Sequence, residues 1–479
     1  MGTSAFDAVI PVICVTLAGL VVLLAESFRK KQERMPLGGL ALIGLIGAVI
    51  ACVLLWDRNA TSFGMVTADN YALFVNLIIL TVGILTVVFS QHTVERDGLP
   101  AGEYYALLLF AIVGMMLMVQ ATDLLLVFLA LETMSIAVYV LTGIRFNDAR
   151  GTEAAFKYFL LGAFASAFLL YGIAFLFGVT GTTSLDGIGT VVAAQSMSGN
   201  PMILAAIALL IVGFGFKVGV VPFHQWSPDA YEGAPALVTG FMSTGVKAAA
   251  MAAFARIFLS SLEPMITDWA PVLWGVAAIT MILGTVVGVA QTNLKRMLAY
   301  SSIAHAGYLL VGIVAGNEVG KAAILFYLAA YALTNVAGFA IIGLLGTKAA
   351  PNDDLRDYAG LWHTHPALAG LMTIVLLSLG GFPPTAGFIA KWYIFSAAVG
   401  SGYYWLAIIG FLSSVVSVFF YLRIVVMMFM TERDARPVPL PVAASAMAGL
   451  AVTVAAILYL GILPSRVIDL AAASISTVF

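Results

Sequence analysis

The sequence predicts an all-α polytopic membrane protein with about 14 transmembrane helices. The chain has 479 residues, of which 62% are hydrophobic and only 10% are charged, a composition far from that of soluble globular domains. Apolar runs of about 20 residues, the length at which a helix crosses a ~30 Å hydrocarbon core, recur from one end to the other. The runs are continuous and lack the alternation of barrel strands, so the predicted spans are helices.

The predicted spans follow the apolar runs of the chain. The run that opens the chain is preceded by no basic residue, and a basic cluster, Arg29 to Arg34 with Lys30 and Lys31, comes directly after it. This order predicts a first span and not a cleaved signal peptide, with the N-terminus outside. The spans are centred in the runs 6–28, 37–56, 70–90, 103–120, 122–142, 153–178, 202–223, 233–259, 270–291, 297–316, 322–347, 366–397, 404–430 and 441–463.

Basic residues in the loops predict the same orientation. They are concentrated in alternate loops, which the positive-inside rule assigns to the inner face of the membrane. The predicted outer loops hold little beyond Arg58, Lys321 and Arg466. The predicted inner residues are Arg96, Arg145, Arg150, Lys295, Arg296, Lys348, Arg356, Arg433 and Arg436.

Composition also excludes several function classes. The net charge is only −2, which gives no reason to expect a nucleic-acid partner. The two cysteines, Cys14 and Cys52, give neither a disulfide framework nor the spacing of metal or iron–sulfur ligands. The glycine-rich stretch GFGFKVG (213–219) lies within a predicted span and follows no strand, so it is not a nucleotide-binding loop. We expect no cofactor, metal or redox centre in this chain.

Four ionisable residues lie far from the ends of predicted spans. They are Glu132, Lys217, Lys247 and Lys391, and His305 is a fifth polar site. A charge at mid-span costs roughly 2.5–3.5 kcal/mol, so each of them needs a reason to be there. Structural ion pairs or snorkelling lysines are one explanation, and a packed histidine is another. Three such lysines beside a glutamate favour an ion pathway instead.

Two of these lysines accompany predicted helix breaks. Lys217 is followed by Pro222, Pro228 and Pro235, and Lys391 is preceded by the stretch GGFPP at 380–384. Proline removes a backbone donor and clashes with the preceding turn, which predicts discontinuous helices 7 and 12. Freed backbone groups at membrane depth are tolerated only in contact with protein or a water-filled cavity. A simple proline kink would explain each bend but not the neighbouring lysine.

The spacing of the polar residues at mid-span predicts an internal repeat. Glu132 and Lys217 are 85 residues apart, and His305 and Lys391 are 86 apart. Arg423 in the thirteenth span is then the counterpart of Lys247. Because each unit holds an odd number of helices, the second unit is inverted, as in many ion transporters. The predicted organisation is an N-terminal three-helix segment (1–100), a first five-helix repeat (101–260), a second, inverted repeat (268–432) and a C-terminal helix (433–479).

This constellation predicts a proton relay. A carboxylate close to a buried ammonium stabilises the protonated form, so movement of Glu132 toward or away from Lys217 would make the lysine bind or release a proton. We assign Lys217 as the switched carrier, Lys247 as the central relay and Lys391 as the exit carrier.

Other polar side chains are further candidates for the proton relay. His224 and His305 are candidate intermediate donors, with Tyr300 and Tyr308 as hydrogen-bonding neighbours. Glu153 and Lys157 share one helical face and are candidates as well. A plain ion pair between successive turns explains the second pair equally well.

Three stretches carry a family resemblance. They are FKVGVVPFHQWSPDAYEGAP (216–235), TNLKRMLAYSSIAHAGYLL (292–310) and GFIAKWYIF (387–395), and in them the chain resembles the antiporter-like membrane subunits of respiratory complex I. The resemblance extends over essentially the whole chain. It implies inverted five-helix bundles with broken helices and proton translocation driven by electron transfer from NADH to quinone in other subunits. The key residues of the family fall on Glu132, Lys217, Lys247 and Lys391, and His224 also matches.

The resemblance also implies partners and cofactors. The expected partners are neighbouring antiporter-like and small membrane subunits, the peripheral redox arm and the lipid bilayer of the cell (inner) membrane. NADH, FMN, iron–sulfur clusters and quinone are expected in those partner subunits. A subunit of a multi-subunit cation/proton antiporter shares the fold and most of the charged motif. A membrane scaffold with purely structural charges is the other alternative.

Overall fold

The computed structural model describes residues 5–28, 36–195, 197–347, 352–432 and 442–479. Over these residues the protein is almost entirely helical, and 13 helices are long and apolar enough to cross a membrane. The all-α polytopic fold is confirmed. The basic cluster Arg29 to Arg34 and the basic residues Lys348, Arg433 and Arg436 lie outside the described residues.

Twenty α-helices follow one another along the described chain. The first ten are α1 (Ile10–Phe28), α2 (Leu37–Leu55), α3 (Asn70–Arg96), α4 (Ala101–Gln120), α5 (Leu124–Thr142), α6 (Ala149–Thr180), α7 (Leu185–Ala194), α8 (Pro201–Val218), α9 (Trp226–Gly233) and α10 (Ala236–Phe241). The others are α11 (Lys247–Arg256), α12 (Ile266–Val289), α13 (Leu294–Ala315), α14 (Glu318–Leu345), α15 (Leu361–Thr364), α16 (Pro366–Gly380), α17 (Ala386–Gly400), α18 (Tyr404–Met430), α19 (Ala444–Ile462) and α20 (Ser465–Ile475).

The number of spans differs from the sequence prediction at one place. The apolar run 366–397 is divided into α16 and α17, which have 15 residues each and are therefore too short to count as spans by themselves. Together they cover the predicted twelfth span. The only strands in the described part of the chain are β1 (Ala60–Ser62) and β2 (Val66–Ala68), an antiparallel hairpin that the sequence reading did not predict.

Both predicted breaks coincide with helix ends. Helix α8 ends at Val218 and is capped by Gly219 in the left-handed conformation, with φ of 77°; helix α16 is capped in the same way by Gly381, with φ of 84°. Glycine adopts this conformation without the steric cost that a side chain brings. Three residues after each glycine stands a proline, Pro222 or Pro384, with a cis peptide bond before it. The two breaks thus share one backbone pattern, and the inverted repeat stays a prediction.

The core of the bundle lies around two buried helices. The continuous helix formed by α10, a π-helical turn (Met242–Val246), α11 and a second π-helical turn (Ile257–Ser261) is buried throughout, and α13 is buried along nearly its whole length. Helices α1, α2, α6 and α18 expose many large apolar side chains, as a face in contact with hydrocarbon requires.

Several basic residues of the predicted inner loops meet at one end of the bundle. Asp97 forms ion pairs with Arg96, at 2.9 Å, and with Arg145, at 3.2 Å. Lys295 and Asp353 form a further pair at 3.1 Å. Of these five residues, all except Arg96 line one shared cavity. The loops that the positive-inside rule assigns to one face therefore do lie together.

Candidate functional site

The first cluster of the site lies between α5, α6 and α8. The Lys217 side chain is buried, and its Nζ donates a hydrogen bond of 2.6 Å to Oγ of Ser135. Ser135 is three residues after Glu132, so both lie on one face of α5. The rings of Tyr139 and Tyr158 have their centroids 5.4 and 5.5 Å from Nζ. Lys217 is thus held by a hydroxyl group and two aromatic rings.

Glu132 and Lys217 are neighbours without being a closed ion pair. Among the residues that the structure describes, no carboxylate oxygen lies within 4.0 Å of Lys217 Nζ. Half-buried Glu132 instead accepts a hydrogen bond from Oγ of Ser166. Ser166 and Lys217 both line one narrow crevice, together with Leu131, Tyr139 and Phe216. The geometry is that of a separated pair, each partner of which bonds to a serine hydroxyl.

The second cluster surrounds Lys247 at the centre of the bundle. Lys247 follows the π-helical turn directly, and its Nζ donates to both the backbone carbonyl (2.6 Å) and Oγ (2.5 Å) of Ser302 on α13. The Ser302 hydroxyl also accepts a hydrogen bond from Tyr331 (2.8 Å) and lies 3.2 Å from the hydroxyl of Tyr231. We call Lys247, Ser302, Tyr231 and Tyr331 the central hub. π-Helical turns inside helices are frequent at functional sites.

His305 lies one turn further along α13 from the hub. Its Nδ1 is 2.6 Å from the hydroxyl of Tyr327, and its Nε2 is 3.5 Å from the hydroxyl of Tyr421. Tyr421 is also hydrogen-bonded to Ser301, the neighbour of Ser302. Helix α13 therefore carries polar contacts from the hub toward α18.

The predicted partners of His305 were wrong. We expected hydrogen bonds to Tyr300 and Tyr308, but the histidine contacts only the edge of the Tyr308 ring, at 5.5 Å between centroids, and none of its hydrogen bonds in the described structure reaches Tyr300. The reason is helical geometry. Tyr300, five residues before His305, lies on another face of α13. The tyrosine hydroxyls that reach the ring nitrogens of His305 come from α14 and α18.

The third cluster holds Lys391. Its Nζ donates to the carbonyl oxygens of Leu379 (2.8 Å) and Gly380 (3.1 Å) and to Oγ of Ser414 (2.8 Å). The two carbonyls belong to the last turn of α16, where backbone acceptors have no intrahelical partner and carry partial negative charge. The Tyr308 ring lies 5.3 Å from Nζ. The break before Lys391 thus supplies the acceptors that a buried ammonium needs.

His224 and Arg423 form no hydrogen bond with these clusters in the described structure. His224 is in the turn between α8 and α9, and Nδ1 of its ring has no hydrogen-bond partner among the described residues. Arg423 donates to the carbonyl oxygens of Val289 (3.3 Å) and Gln291 (2.5 Å), so it caps the end of α12. The expected correspondence of Arg423 with Lys247 therefore finds no support in its contacts.

Glu153 and Lys157 form the expected ion pair, at 2.7 Å, with 65% and 45% of their side chains exposed. Lys157 also pairs with Asp229 at 3.0 Å, and Asp229 pairs with Arg296 at 2.7 Å. Burial raises the pKa of Asp229, but hydrogen bonds from Arg296 and Lys157 lower it, and the net shift is downward from its ordinary value. These charges form a network of ion pairs that includes none of the three buried lysines.

Sequence reasoning missed the partners of the lysines. Ser135, Ser302 and Ser414 accept hydrogen bonds from the three lysines. The two tyrosines of the hub are hydrogen-bonded to Ser302. Hydroxyl residues are common in apolar helices, where they also bond to the backbone one turn back, so no local signal marked these. In the described residues no group of histidine, cysteine, aspartate and glutamate is arranged to hold a metal ion.

The fold is that of a family of membrane ion translocators. A family model described as "NADH:quinone oxidoreductase/Mrp antiporter, TM" matches residues 121–417, and the chain belongs to this family. Within it, two relatives named NADH-quinone oxidoreductase subunit N are similar over nearly the full chain. The relative from Trichlorobacter lovleyi is 45% identical, covering 98% of this chain and 96% of the relative, and that from Chloroflexus aggregans is 44% identical, covering 90% and 89%.

Solved structures agree with this assignment. A chain of respiratory complex I from Thermus thermophilus with bound aureothin is 33% identical, with a TM-score of 0.83 over 96% of this chain and 99% of that chain. A chain of the Mrp complex from Dietzia sp. DQ12-45-1b is 21% identical, with a TM-score of 0.86 over 99% and 97%. The second likeness shows the shared fold alone.

Proposed function

We propose that this chain is the proton-translocating membrane subunit N of an NADH-quinone oxidoreductase. The observation that carries the proposal is the bonding of three buried lysines, which are only 2 to 5% exposed and bond to hydroxyl and carbonyl oxygens in place of carboxylates. An ammonium buried without a counter-ion is costly, and such groups in a membrane mark ion pathways. The relatives named subunit N supply the electron-transfer context.

The proton is loaded at Lys217. When Glu132 closes onto Lys217, the carboxylate stabilises the ammonium; when it returns to Ser166, the lysine is left with Ser135 and releases a proton. In this movement Glu132 passes from Ser166 toward Lys217, two residues that line one crevice. The energy for this movement comes from quinone reduction in other subunits.

Transfer along the bundle uses α13. Lys247 is the central relay, His305 with its two tyrosine partners is the intermediate donor, and Lys391 is the exit carrier. His224, in the turn after the first break, is a lower-ranked intermediate. Glu153 and Lys157 act as a structural ion pair at an open end of the bundle.

The wider setting follows from the same proposal. The chain lies in the cell (inner) membrane with its N-terminus outside, next to other antiporter-like and small subunits and the peripheral arm. NADH, FMN, iron–sulfur clusters and quinone bind in those subunits. Within the chain, 1–100 is the three-helix segment, 101–260 and 268–432 are the two inverted repeats, and the segment 433–479 holds the last span, α19, followed by the short helix α20.

A cation/proton antiporter subunit is the second candidate, favoured by the fold shared with the Mrp complex chain. The test is to tag the protein in its native membrane, purify it in mild detergent and assay NADH-to-quinone electron transfer, with subunits identified by mass. Recovery with an active NADH-oxidising complex supports the proposal. Recovery with membrane subunits alone, without redox activity, favours the antiporter.

Variants of the loading pair test the mechanism. We expect Lys217→Ala and Glu132→Ala to lower NADH-driven acidification of inverted vesicles by about tenfold or more, the scale of a lost proton-transfer group, while the complex stays abundant on a native gel. Lys217→Met addresses the scaffold alternative, which predicts impaired assembly but normal pumping in the complex that remains. Wild-type pumping at normal assembly in both alanine variants rules out the relay.

A further inference from the structure

We propose that Asn335 is a positioning residue that holds a water molecule against the central hub, in hydrogen-bonding contact with Lys247. The proposal rests on the proposed function, because it gives the central relay lysine a solvent partner. Asn335 lies on α14, is only 1% exposed, and was not singled out by the sequence. Its place in the fold and the hydrogen-bonding capacity of its neighbours both point to this role.

The place of Asn335 follows from its neighbours on α14. Tyr331, four residues before it, donates to the Ser302 hydroxyl of the hub. Phe339, four residues after it, packs its ring edge-on against Tyr231 of the hub, with 6.0 Å between centroids. Residues four apart share one face of a helix. Asn335 stands between two residues that both contact the hub and therefore faces it.

Close helix packing keeps Asn335 at this depth. A Cβ atom added to Gly240, on α10, would lie 2.9 Å from Cβ of Phe339 and 3.9 Å from Cα of Val336. Helix α14 is thus seated against α10 directly before the π-helical turn that leads to Lys247. Asn335 therefore lies on the part of α14 that packs against the helix carrying Lys247.

Asn335 and Lys247 each have hydrogen-bonding groups without a partner in the described protein. Both side-chain atoms of Asn335, the carbonyl oxygen and the amide nitrogen, are buried without a hydrogen-bond partner in the described protein. Lys247 has three N–H donors, and two of them reach Ser302. Lys391 forms a contrast, because its three donors reach three acceptors. One N–H of Lys247 therefore donates to no oxygen of the described protein, and the ring of Tyr331, four residues before Asn335 on α14, lies 5.7 Å from Nζ.

One bound water molecule satisfies the hydrogen-bonding groups of both residues. Buried polar side chains without partners are rare in proteins, and ordered water typically makes about three hydrogen bonds to such groups. Here a water accepts from Lys247 and exchanges a hydrogen bond with the Asn335 amide. The third N–H of Lys247 then has a mobile partner, which the fixed backbone carbonyls around Lys391 do not provide.

The test compares two variants of equal shape. Asn335→Val and Asn335→Thr differ only in the hydroxyl that can hold water, so packing changes affect both alike. We expect Asn335→Val to lower protons pumped per NADH by about fivefold, the factor for one lost hydrogen bond, while Asn335→Thr retains most of the pumping at the same complex abundance. Equal pumping in the two variants overturns the proposal.

Two further variants separate the possible failures. Asn76 is the matched control, because it is also fully buried with both amide atoms unpaired but lies on α3, outside the hub; Asn76→Val is expected to pump normally. A loss in Asn76→Val equal to that in Asn335→Val would show a general packing effect and overturn the role of Asn335. Normal pumping by Lys247→Met would overturn the central relay itself, whereas a loss there with normal Asn335→Val pumping overturns only the water site.

Discussion

Nζ of Lys217 donates its hydrogen bond to Oγ of Ser135 at 2.6 Å. The serine hydroxyl in turn donates to the backbone carbonyl of Leu131 on its own helix. A carboxylate is therefore not the immediate partner of the most deeply buried of the three lysines, which is 2% exposed. A neutral partner leaves the lysine free to gain or lose its proton when Glu132 moves.

Ser135→Ala removes the hydroxyl partner of Lys217. We expect proton pumping per NADH to fall on the order of tenfold, because a hydrogen bond to a charged group contributes ~1.5–3 kcal/mol. Proton pumping is measured as NADH-driven acidification of inverted vesicles. Thr133→Ala on the same helix is the control, since exposed Thr133 donates only to the Leu129 carbonyl, and an equal loss in both variants contradicts the role of Ser135.

Gly381→Ala disturbs Lys391 through the helix break. A Cβ at this position lies 3.0 Å from Cδ of Lys391 and needs a left-handed backbone, which costs a non-glycine residue about 1–2 kcal/mol. Gly402→Ala carries the same backbone strain, at φ of 80°, with no atom within 4 Å of the added Cβ. We expect both to lower the thermal stability of the complex and only Gly381→Ala to impair pumping. Similar pumping in the two variants would contradict the link to Lys391.

Tyr327→Phe tests the hydrogen bond of His305. Loss of the 2.6 Å contact with Nδ1 removes about 1 kcal/mol of orienting energy, and we expect pumping to fall several-fold while NADH oxidation by the complex continues. Tyr300→Phe, on α13 itself, should pump like the wild type. The two variants are compared in one vesicle assay, and a loss confined to Tyr300→Phe would restore the sequence-based assignment.

Asp229→Asn tests the charge network through pH. Because its pKa is shifted downward, the ionised carboxylate stabilises the fold above the unfolded pKa of aspartate, and this contribution is lost as pH falls through the folded pKa. The partly exposed pair with Arg296 contributes on the order of 0.5 kcal/mol. We expect the variant to be slightly less thermally stable than the wild type, and we expect this difference to stay constant from pH 8 to pH 5. A loss that fades within this range would contradict the direction of the shift.

Glu153→Gln distinguishes the ion pair from a relay role. The carboxylate is 65% exposed and bonds to Lys157 at an open end of the bundle. We therefore expect unchanged pumping, measured beside Glu132→Gln in the same vesicles. Equal loss of pumping in the two variants would place Glu153 on the proton path.

The sequence predicted which charged residues lie inside the membrane, because the position of a residue within an apolar run determines its depth. Lys217, Lys247 and Lys391 are buried as their positions in the apolar runs predicted. The partners were not predictable, since Lys217 and Ser135 are 82 residues apart and Lys247 and Ser302 are 55 apart. Apolar runs fix how deep a side chain lies, whereas its partner depends on which helices pack together.

The sequence by itself determined the helical membrane fold, the two helix breaks and the charges placed in the apolar core. Span length follows from bilayer thickness, and proline cannot complete a helical hydrogen bond. Only the tertiary structure decided that Lys391 bonds to the carbonyls that its own helix break leaves free, and that Glu132 bonds to Ser166 and stands apart from Lys217. The physical reason is that a buried ammonium must find acceptors, and only the packing of distant helices determines which acceptors are within reach.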